Sequence, residues 1–510
     1  MKLYEIVSPA LLGVGLLGYG LWLVVYRLVF HPLARFPGPT LAAASYWYDL
    51  YYDWFAGPEF GESASNIEHL HDRYGPIVRI APDEIAIKDP DMYDVLFSGR
   101  HDKSLRNYHA MGSPGSIAQT ADHEHHRIRR APLNSFFSRR SILNLEPIVK
   151  SKVELLSRGF DGFLQRRETL HIGTAFTSLG IDVISDYAFG QSWGCLDDPA
   201  FSPRWKQTIT MLLRAVPILK HIPWLFSFLN KLAETRLTSV NPNMGSYSGF
   251  RKHIHAQIRR LIIERQEVQD KKPLTDQPRT VFEALLDSDL PPEEKVAHRV
   301  ADEALVLVIA GGETTAGSLT SLLFHLLSNP SLLKEVRAEI DCVMPDPDSL
   351  ADWSTLERLP HLHAAVKETL RISSLITNRP QTVVRDEILE YGTWRIPTGT
   401  TVSMSIPGIH LDPNIFPNPN EFMPGRWMGE DAKGLDKYYV PFHRGSRACV
   451  GQNLAHCEIY LAAAAILRRF NLELFDTVRE RDVDVVRDCL VGMPGNDSKG
   501  VRVRILGKRL

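Results

Sequence analysis

The chain has 510 residues, of which 44% are hydrophobic and 23% are charged, and its formal net charge is −2. This composition is that of an ordinary globular protein, and the near-neutral balance excludes a global electrostatic preference for nucleic acid or anionic membranes. The five cysteines are sparse and include no C-x-x-C pair, which argues against a disulfide framework and a structural zinc site. We therefore expect a reducing compartment.

An uncharged segment of 21 residues, from Ile6 to Tyr26, is long enough to cross a hydrocarbon core as a helix. More positive charge follows this segment than precedes it, which places the rest of the chain on the cytosolic side. A cleaved signal peptide is the alternative, but its apolar part is usually shorter and no small-residue cleavage site follows here. The sequence therefore predicts a membrane anchor over residues 1–30 and one catalytic domain over residues 31–510.

Several short patterns predict the local structure of residues 31–265. Residues 31–39 read HPLARFPGP and predict a stiff, extended spacer, because each proline fixes φ and restricts the residue before it. The runs IVRI and EIAI, which come soon after a Gly-Pro turn, predict a β-hairpin. Residues 105–121 predict a loop, and residues 140–265 a succession of helices. The apolar run at 217–229 fits core packing or, alternatively, a lip that dips into the membrane.

Histidines and carboxylates crowd together in the stretch ADHEHHRIRRAPLNSFFS, residues 121–138. Consecutive residues on a helix point in different directions, so these side chains are not expected to converge on a metal ion. The stretch instead predicts the start of a helix that carries Arg129 inward. An exposed, solvated Arg129 is the alternative.

A long helix is predicted from Glu293 to Asn329, because two prolines precede it and a third ends it. Its centre, VLVIA, is apolar on every side and hence buried. The segment AGGETT lies inside that centre, where two glycines and an acid are unfavourable. Residues that weaken a helix in this way are expected to serve chemistry: Glu313 supplies an ionisable acid beside the hydroxyl group of Thr314. A helix kink with a capped polar pair is the alternative.

A second helix carries Glu368 and Arg371, which lie three residues apart and share a face. The pattern E-x-x-R is common, and it gains weight here from its position between AGGETT and the last motif. Downstream, WRIPTGT and TVSMSI predict two strands. The segment FMPGRW then adds Arg426.

The last motif reads FHRGSRACVG and places Cys449 just before a predicted helix. The positive end of the helix dipole favours a thiolate, and Gly445 and Gly451 allow positive φ and the close approach of a bulky planar group. Phe442 can lie on that group, and Arg447 can pair with a carboxylate. These are the requirements of a cysteine-ligated haem. A buried structural cysteine in a glycine-rich turn is the alternative.

The pattern F-x-x-G-x-R-x-C-x-G resembles the haem-binding loop of the cytochrome P-450 family. A-G-x-E-T-T resembles the oxygen-activation segment of that family, and E-x-x-R and F-x-P-x-R occur in the family order. The proline-rich spacer and YGPIVRI are similar to fungal membrane-bound members, such as the trichodiene oxygenase group. The resemblance implies a mainly α fold with small β-sheets, in a single domain behind one N-terminal transmembrane helix.

The resemblance also implies the roles of individual residues. Cys449 would be the axial ligand of the iron of haem b, with Phe442, Gly445, Arg447 and Gly451 around the haem. The loop at 105–121 would roof the substrate pocket. The remaining assignments are His125, Arg129 and Arg379 for the haem propionates; Glu313 and Thr314 for proton relay; Glu368, Arg371 and Arg426 for a structural triad; and Leu375 to Thr377 and Val491 to Met493 for substrate contact. His125 stands where the family usually has tryptophan, and Arg379 departs from the usual spacing.

The activity that the resemblance implies is insertion of one oxygen atom from O2 into an apolar small molecule. The substrate would be a fungal secondary-metabolite intermediate such as a terpenoid or polyketide. NADPH–cytochrome P-450 reductase would supply electrons, with cytochrome b5 as a second donor, docking near basic residues such as Arg444. The enzyme would sit in the endoplasmic reticulum membrane and face the cytosol. The alternatives are a haem-thiolate isomerase or dehydratase that does not use O2, and a non-catalytic haem sensor or carrier.

Overall fold

The N-terminal segment forms an isolated apolar helix. The computed structural model describes residues 9–57, 60–106, 112–222, 224–225, 242–271, 280–373 and 375–509. Helix α1, Pro9–Val25, continues as a π-helical turn over Tyr26–Phe30. The stretch Leu11–Phe30 has a mean hydropathy of 1.7, and none of its residues is buried. A helix of this length and exposure is compatible with membrane anchoring.

The proline-rich spacer after α1 is packed against the domain. Leu33 and Phe36 are buried, and the Phe36 ring stacks on Trp394 with 4.9 Å between the ring centroids. Gly38 passes so close to the first strand that a Cβ atom there would lie 2.3 Å from the carbonyl oxygen of Arg79. The spacer is therefore an ordered part of the catalytic domain.

Helices make up most of the described structure, as predicted. In chain order they are α2 (Thr40–Ala44), α3 (Trp47–Trp54), α4 (Ser63–Tyr74), α5 (Met92–Phe97), α6 (His123–Phe136), α7 (Arg139–Arg166), α8 (Ile172–Phe189), α9 (Pro203–Leu219), α10 (Pro242–Lys271), α11 (Val281–Asp287), α12 (Ala297–Leu327), α13 (Pro330–Val343), α14 (Trp353–Leu356), α15 (Pro360–Ile372), α16 (Ile406–His410), α17 (Gln452–Arg469) and α18 (Arg479–Asp482).

The strands form small sheets at the edge of the helical body. They are β1 (Ile77–Ala81), β2 (Glu84–Ile87), β3 (Asp102–Lys103), β4 (Leu170–His171), β5 (Gln381–Val383), β6 (Leu389–Tyr391), β7 (Trp394–Ile396), β8 (Thr401–Ser403), β9 (Phe470–Leu474), β10 (Arg487–Cys489), β11 (Val491–Met493) and β12 (Arg502–Lys508). The largest sheet has the order β1-β2-β8-β5-β3, and smaller ones are β4-β12-β9, β6-β7 and β10-β11. The antiparallel pair β1–β2 confirms the predicted hairpin, and β7 and β8 confirm the two predicted strands.

Helix α12 crosses the centre of the domain and confirms the predicted long buried helix. It begins four residues later than predicted, because Pro292–Glu294 forms a 3₁₀ turn and Val296 caps the helix. The helix is apolar enough to span a membrane, but 61% of its most apolar window is buried in protein. It is therefore a core helix.

The glycines in the middle of α12 allow a close helix crossing. A Cβ atom on Gly180 of α8 would lie 2.7 Å from the carbonyl oxygen of Gly311 and 3.0 Å from the Cα atom of Gly312. A Cβ atom on Gly312 would in turn lie 3.0 Å from the side chain of Ile181. The AGGETT glycines thus have a packing role in addition to any chemical one, because side chains here would force the helices apart.

Candidate active site

A cavity of about 350 Å³ separates the middle of α12 from the loop before α17. Gly311 and Thr314 line it from the α12 side, and Phe442 and Cys449 line it from the loop side. Most of the other lining side chains are apolar, and the volume is typical of small-molecule sites. The cavity therefore brings the two most specific sequence motifs to opposite walls of one space.

Backbone hydrogen bonds hold the cysteine loop in a tight fold. The N–H of Cys449 donates to the carbonyl oxygen of Phe442 at 2.8 Å, and the N–H of Ala448 donates to that of Gly445 at 3.1 Å. Gly445 has φ +68°, and a Cβ atom there would lie 2.0 Å from the carbonyl oxygen of Phe97. Only glycine fits this position, because any side chain would be strained and would collide with the backbone.

Of the two purposes predicted for Gly451, positive φ and the close approach of a planar group, only the second agrees with the structure. Its φ of −85° is ordinary, so positive φ does not explain the glycine. A Cβ atom at this position would meet nothing within 4 Å, and the residue lines the cavity. Bare backbone beside open space suits a flat group that must come close to the loop.

The Cys449 thiol is exposed to the cavity, while the protein around the cavity keeps it away from the outer surface. Burial raises its pKa, whereas a hydrogen bond from the Gly451 backbone and the charge of Arg130 lower it. Burial prevails, so the thiolate predicted from the helix dipole is not favoured in the protein alone. A bound cation such as iron would reverse this balance, because metal binding displaces the thiol proton.

Arg447 also lines the cavity, next to the segment that precedes α6. Its guanidinium donates to the carbonyl oxygens of Thr120 and Ala121, both at 2.7 Å. These bonds fix the side chain with its positive charge at one edge of the cavity. That charge suits a carboxylate in the cavity.

His125 and Arg129 do not reach the cavity. Both bind Glu294: the Nε atom of Arg129 lies 2.7 Å from its Oε2 atom, and the Nε2 atom of His125 lies 2.6 Å from its Oε1 atom. The prediction placed these residues on a haem propionate, and the structure instead assigns them to an ion pair between α6 and the turn before α12.

Their neighbours in sequence face the cysteine loop. Arg130 donates to the carbonyl oxygen of Ala448 at 2.5 Å, and burial, then the charges of Arg447 and Arg130, lower the pKa of His126 to about 3. The run HHRIRR contains two H-x-x-x-R pairs, one residue apart. The fully buried Leu133 lies seven residues after His126, and this spacing marks the inward face of α6. His125 and Arg129 lie eight and four residues before Leu133, which are also same-face spacings, so the sequence alone does not separate the two pairs.

The acid and the alcohol of AGGETT lie on different sides of α12. The hydroxyl group of Thr314 faces the cavity and donates to the carbonyl oxygen of Ala310 at 2.9 Å. Glu313 is buried outside the cavity lining, where it pairs with Lys206 of α9. Sequence reasoning missed Lys206, because nothing in its local sequence marks it as the partner of a residue more than a hundred positions away.

Glu368, Arg371 and Arg426 meet in a buried cluster beneath the cysteine loop. Arg371 Nε lies 2.9 Å from Glu368 Oε2, and Arg426 Nε lies 3.0 Å from Glu368 Oε1. The indole N–H of Trp427 also donates to Glu368, at 2.8 Å, and was not predicted. Burial acts to raise the pKa of Glu368, but hydrogen bonding and charge from Arg371 outweigh it, so the pKa is lowered.

Two other predicted basic residues are engaged elsewhere. Arg379 is buried and pairs with Glu84, with 2.8 Å between Nε and Oε1, and it does not line the cavity. Arg444 binds Asp94 through Nη1 at 2.7 Å. Arg379 is thus misassigned as a propionate ligand, and the charge of Arg444 is largely neutralised within the chain.

The predicted substrate contacts are met in part. Leu375 and Ile376 line the cavity, whereas Thr377 donates to Asp488 at 2.8 Å. Residues 491–493 form β11 behind this wall and do not line it, and neither do the described parts of the 105–121 loop, residues 105–106 and 112–121. Of the run at 217–229, residues 223 and 226–229 lie outside the described residues, and Trp224 is 68% exposed. Core packing therefore does not explain Trp224.

The residues around the cavity fit a haem. A sulfur donor opens onto one wall, Gly451 leaves space for a flat group, and cations lie at the edge, where the haem carboxylates would need them. The opposite wall carries a hydroxyl group on a core helix. Together these features define a haem-thiolate enzyme with its reaction space between the haem and α12.

Comparison with known proteins agrees with this class. The family model for cytochrome P-450 matches residues 50–495. A cytochrome P-450 monooxygenase of Ascocoryne sarcoides is 39% identical over 97% of this chain and 98% of its own length. A tryptophan 6-hydroxylase of Fusarium equiseti is 38% identical over 95% and 94%, and an N-acetyltryptophan 6-hydroxylase of Emericella nidulans is 36% identical over 97% of each. A cytochrome P-450 crystal structure superposes with a TM-score of 0.71 at 18% identity, covering 93% of this chain and 99% of that one.

The chain belongs to the cytochrome P-450 family. It is an O2-dependent monooxygenase of the kind that fungi use in secondary metabolism. The predicted mainly helical fold with small sheets is confirmed.

Proposed function

We propose that this monooxygenase oxidises an apolar or aromatic intermediate of fungal secondary metabolism inside the cavity between Cys449 and Thr314. The observation that carries the proposal is this single cavity, which has the sulfur donor on one wall and the hydroxyl group on the other. Leu307, Leu375 and Ile376 give it apolar walls. Because two relatives are named tryptophan and N-acetyltryptophan 6-hydroxylases, indole compounds join terpenoids and polyketides as the first substrates to test.

The cysteine loop and α6 would hold the cofactor. Cys449 would bind the haem iron, Gly445 and Gly451 would let the loop approach the ring, and Phe442 would contact it. Arg447 and Arg130 supply positive charge on the propionate side, and the neutral imidazole of His126 offers a hydrogen bond there, so Arg130 and His126 take the place of the pair predicted from the sequence. When bound, haem supplies activation of O2 with two electrons from a reductase. The buried triad would fix the position of the loop.

The wall formed by α12 would handle protons. The Thr314 hydroxyl group holds a proton at the cavity surface. Glu313, the residue before it in the chain, lies on a different side of α12. Lys206 binds Glu313 and is itself partly exposed, with a relative side-chain exposure of 22%. Lys206 and Glu313 would thus bring a proton from the protein surface to α12, and Thr314 would present one at the cavity.

Replacement of Thr314 by alanine is expected to lower the product formed per NADPH consumed by about tenfold, because a missing proton donor diverts reduced oxygen to hydrogen peroxide. Serine should restore most of the coupling. The matched control is Thr320→Ala on the same helix, whose hydroxyl group also bonds back to a carbonyl, that of Ala316 at 2.7 Å. The measurement is NADPH, O2, hydrogen peroxide and product in one reaction with reductase. Equal coupling in both alanine variants would refute the proton role.

The same stoichiometry tests the reaction itself. Consumption of one O2 and one NADPH per product is expected, and product formation without O2 would indicate an isomerase or dehydratase. We propose NADPH–cytochrome P-450 reductase as the electron donor and cytochrome b5 as a second donor, docking on the cysteine-loop face. Arg444, Lys433 and Lys437 each pair with a carboxylate of this chain, namely Asp94, Glu430 and Asp91, so these partners would weaken their attraction for a donor.

We further propose that residues 1–30 anchor the enzyme in the endoplasmic reticulum membrane, with residues 31–510 in the cytosol. The exposed aromatic side chains of Trp47 and Trp224 would add apolar surface for contact with lipid. The full chain should resist extraction from microsomes by alkaline carbonate, and a variant that lacks residues 1–30 should be released. The sequon at Asn496 should stay unglycosylated. Release of the full chain, or a glycan at Asn496, would contradict this placement.

A further inference from the structure

Lys103 is a partly buried lysine at the edge of the cavity, and it has no role in the function proposed above. It lies on β3, lines the cavity, and donates from Nζ to the carbonyl oxygen of Ala118 at 3.0 Å. Its backbone N–H donates to Ala121 at 2.9 Å, and β3 pairs Lys103 with Thr382 of β5. The side chain is therefore held in place at the cavity wall.

The positive charge of Lys103 adds to that of Arg447. Arg447 binds the carbonyl oxygens of Thr120 and Ala121, so both cations converge on residues 118–121. Burial and then the charge of Arg447 lower the pKa of Lys103 to about 7. The pKa of His443, which also lines the cavity, is lowered to about 3 by burial and then by Lys103 and Arg447. Lys103 and Arg447 repel each other electrostatically, and an anion bound between them would relieve this repulsion.

Nearby acids and bases are already committed to other partners. Asp102, next to Lys103, pairs with Arg385 at 2.7 Å and accepts the His123 N–H at 2.8 Å. Arg379, at the entrance to β5, is paired with Glu84 and does not line the cavity. Lys103 on β3 therefore lines the cavity, whereas Arg379, which lies two residues before β5, does not.

We propose that Lys103 binds a carboxylate inside the cavity, and that its position beside Arg447 makes a haem propionate the favoured source. Lysine presents a compact charge with three donors, and its ion pair with a carboxylate would offset the repulsion from Arg447. The inference rests on the haem-based function proposed above. A carboxylate on the substrate is the second source of the same chemistry, and separate experiments distinguish the two.

Haem transfer from the purified full-length holoprotein to excess apomyoglobin tests the first source. Lys103→Met should lose haem about tenfold faster than the wild type, as expected for one charge-assisted hydrogen bond, and Lys103→Arg should stay within about twofold. The matched control is Lys295→Met, because Lys295 also donates to a carbonyl, that of Ser288, but does not line the cavity. Thermal unfolding of each variant shows whether the substitution affects folding.

The uncharged dimethyl ester of haem separates charge from packing. If Lys103 binds a propionate, the wild type and Lys103→Met should lose the ester at equal rates. Faster loss of haem and of its ester by the same factor in Lys103→Met would overturn the proposal, since the effect would then be structural.

Spectral titration with dodecanoate and with dodecanol tests the second source. If the substrate is the source, Lys103→Met should keep haem normally yet need about tenfold more dodecanoate, but not more dodecanol, for the spin-state shift. If neither haem transfer nor the dodecanoate titration distinguishes Lys103→Met from Lys295→Met, the proposal is wrong. A wild-type protein that does not retain haem would instead refute the proposed function.

Discussion

Replacement of Cys449 by alanine is expected to abolish the long-wavelength absorption band of the reduced carbon monoxide complex, together with all monooxygenase activity. The thiol is the sulfur that opens onto the cavity opposite Thr314, so alanine leaves the iron without its protein ligand. The fold should survive, because the loop is held by backbone bonds, such as that from the Cys449 N–H to Phe442 O at 2.8 Å. Cys449→Ser should also lose the band, since an alcohol is a poor substitute for a thiolate.

The matched control is Cys457→Ala, which removes a buried thiol from α17, outside the cavity lining. Its carbon monoxide spectrum should match that of the wild type. Spectra of dithionite-reduced protein with and without carbon monoxide, together with circular dichroism, provide the measurement. Persistence of the band in Cys449→Ala would overturn the assignment of the haem ligand.

Replacement of Glu368 by alanine is expected to destabilise the protein by about 3–5 kcal/mol, because it leaves a buried guanidinium without its carboxylate. Glu368 and Arg371 are fully buried, and Arg426 and Trp427 also bind the same carboxylate. Loss of the carboxylate removes five hydrogen bonds at once, because the Met423 N–H also donates to it. Haem loss should therefore accompany the fall in stability. Urea unfolding monitored by haem absorbance and by circular dichroism provides the measurement.

The control is Glu264→Ala, which breaks an exposed pair with Arg260 on α10 and should leave the unfolding midpoint unchanged within error. The Glu368 contribution should also depend on pH. Because the folded-state pKa of Glu368 is lowered, its contribution is fully present above the ordinary value of 4.5 and is lost as the pH falls through the folded value. An unchanged midpoint in Glu368→Ala would show that the cluster does not hold the domain together.

Local patterns predicted the parts of the fold and site that depend on local sequence. The prolines before α12 and its apolar centre predicted a buried core helix, and the short apolar runs IVRI and EIAI after a Gly-Pro turn predicted the first hairpin. The cysteine loop and AGGETT predicted residues that the structure brings to one cavity. Each of these patterns depends on residues within about thirty positions of one another, because hydrophobic periodicity and glycine-containing turns are local properties of the chain.

Contacts between distant segments could not be predicted in the same way. Glu84 forms an ion pair with Arg379, almost three hundred residues away in sequence, and Lys206 forms one with Glu313, more than a hundred residues away. A shift of one residue on α6 separates the pair bound to Glu294 from the pair at the cysteine loop. The choice between them depends on which face of α6 packs inward, and the buried Leu133 shows that face only once packing is considered.

If residues 1–30 anchor the enzyme as proposed, the junction between α1 and the domain would determine how the enzyme moves on the membrane. Arg27 donates to the carbonyl oxygen of Ala44 at 2.7 Å, and Arg79 donates to that of Arg27 at 2.9 Å. Together with the stacking of Phe36 on Trp394, these bonds attach the end of the apolar helix directly to the rest of the protein. A change in the tilt of α1, such as a thicker bilayer imposes, would then rotate the whole body and alter the height of the cavity above the lipid.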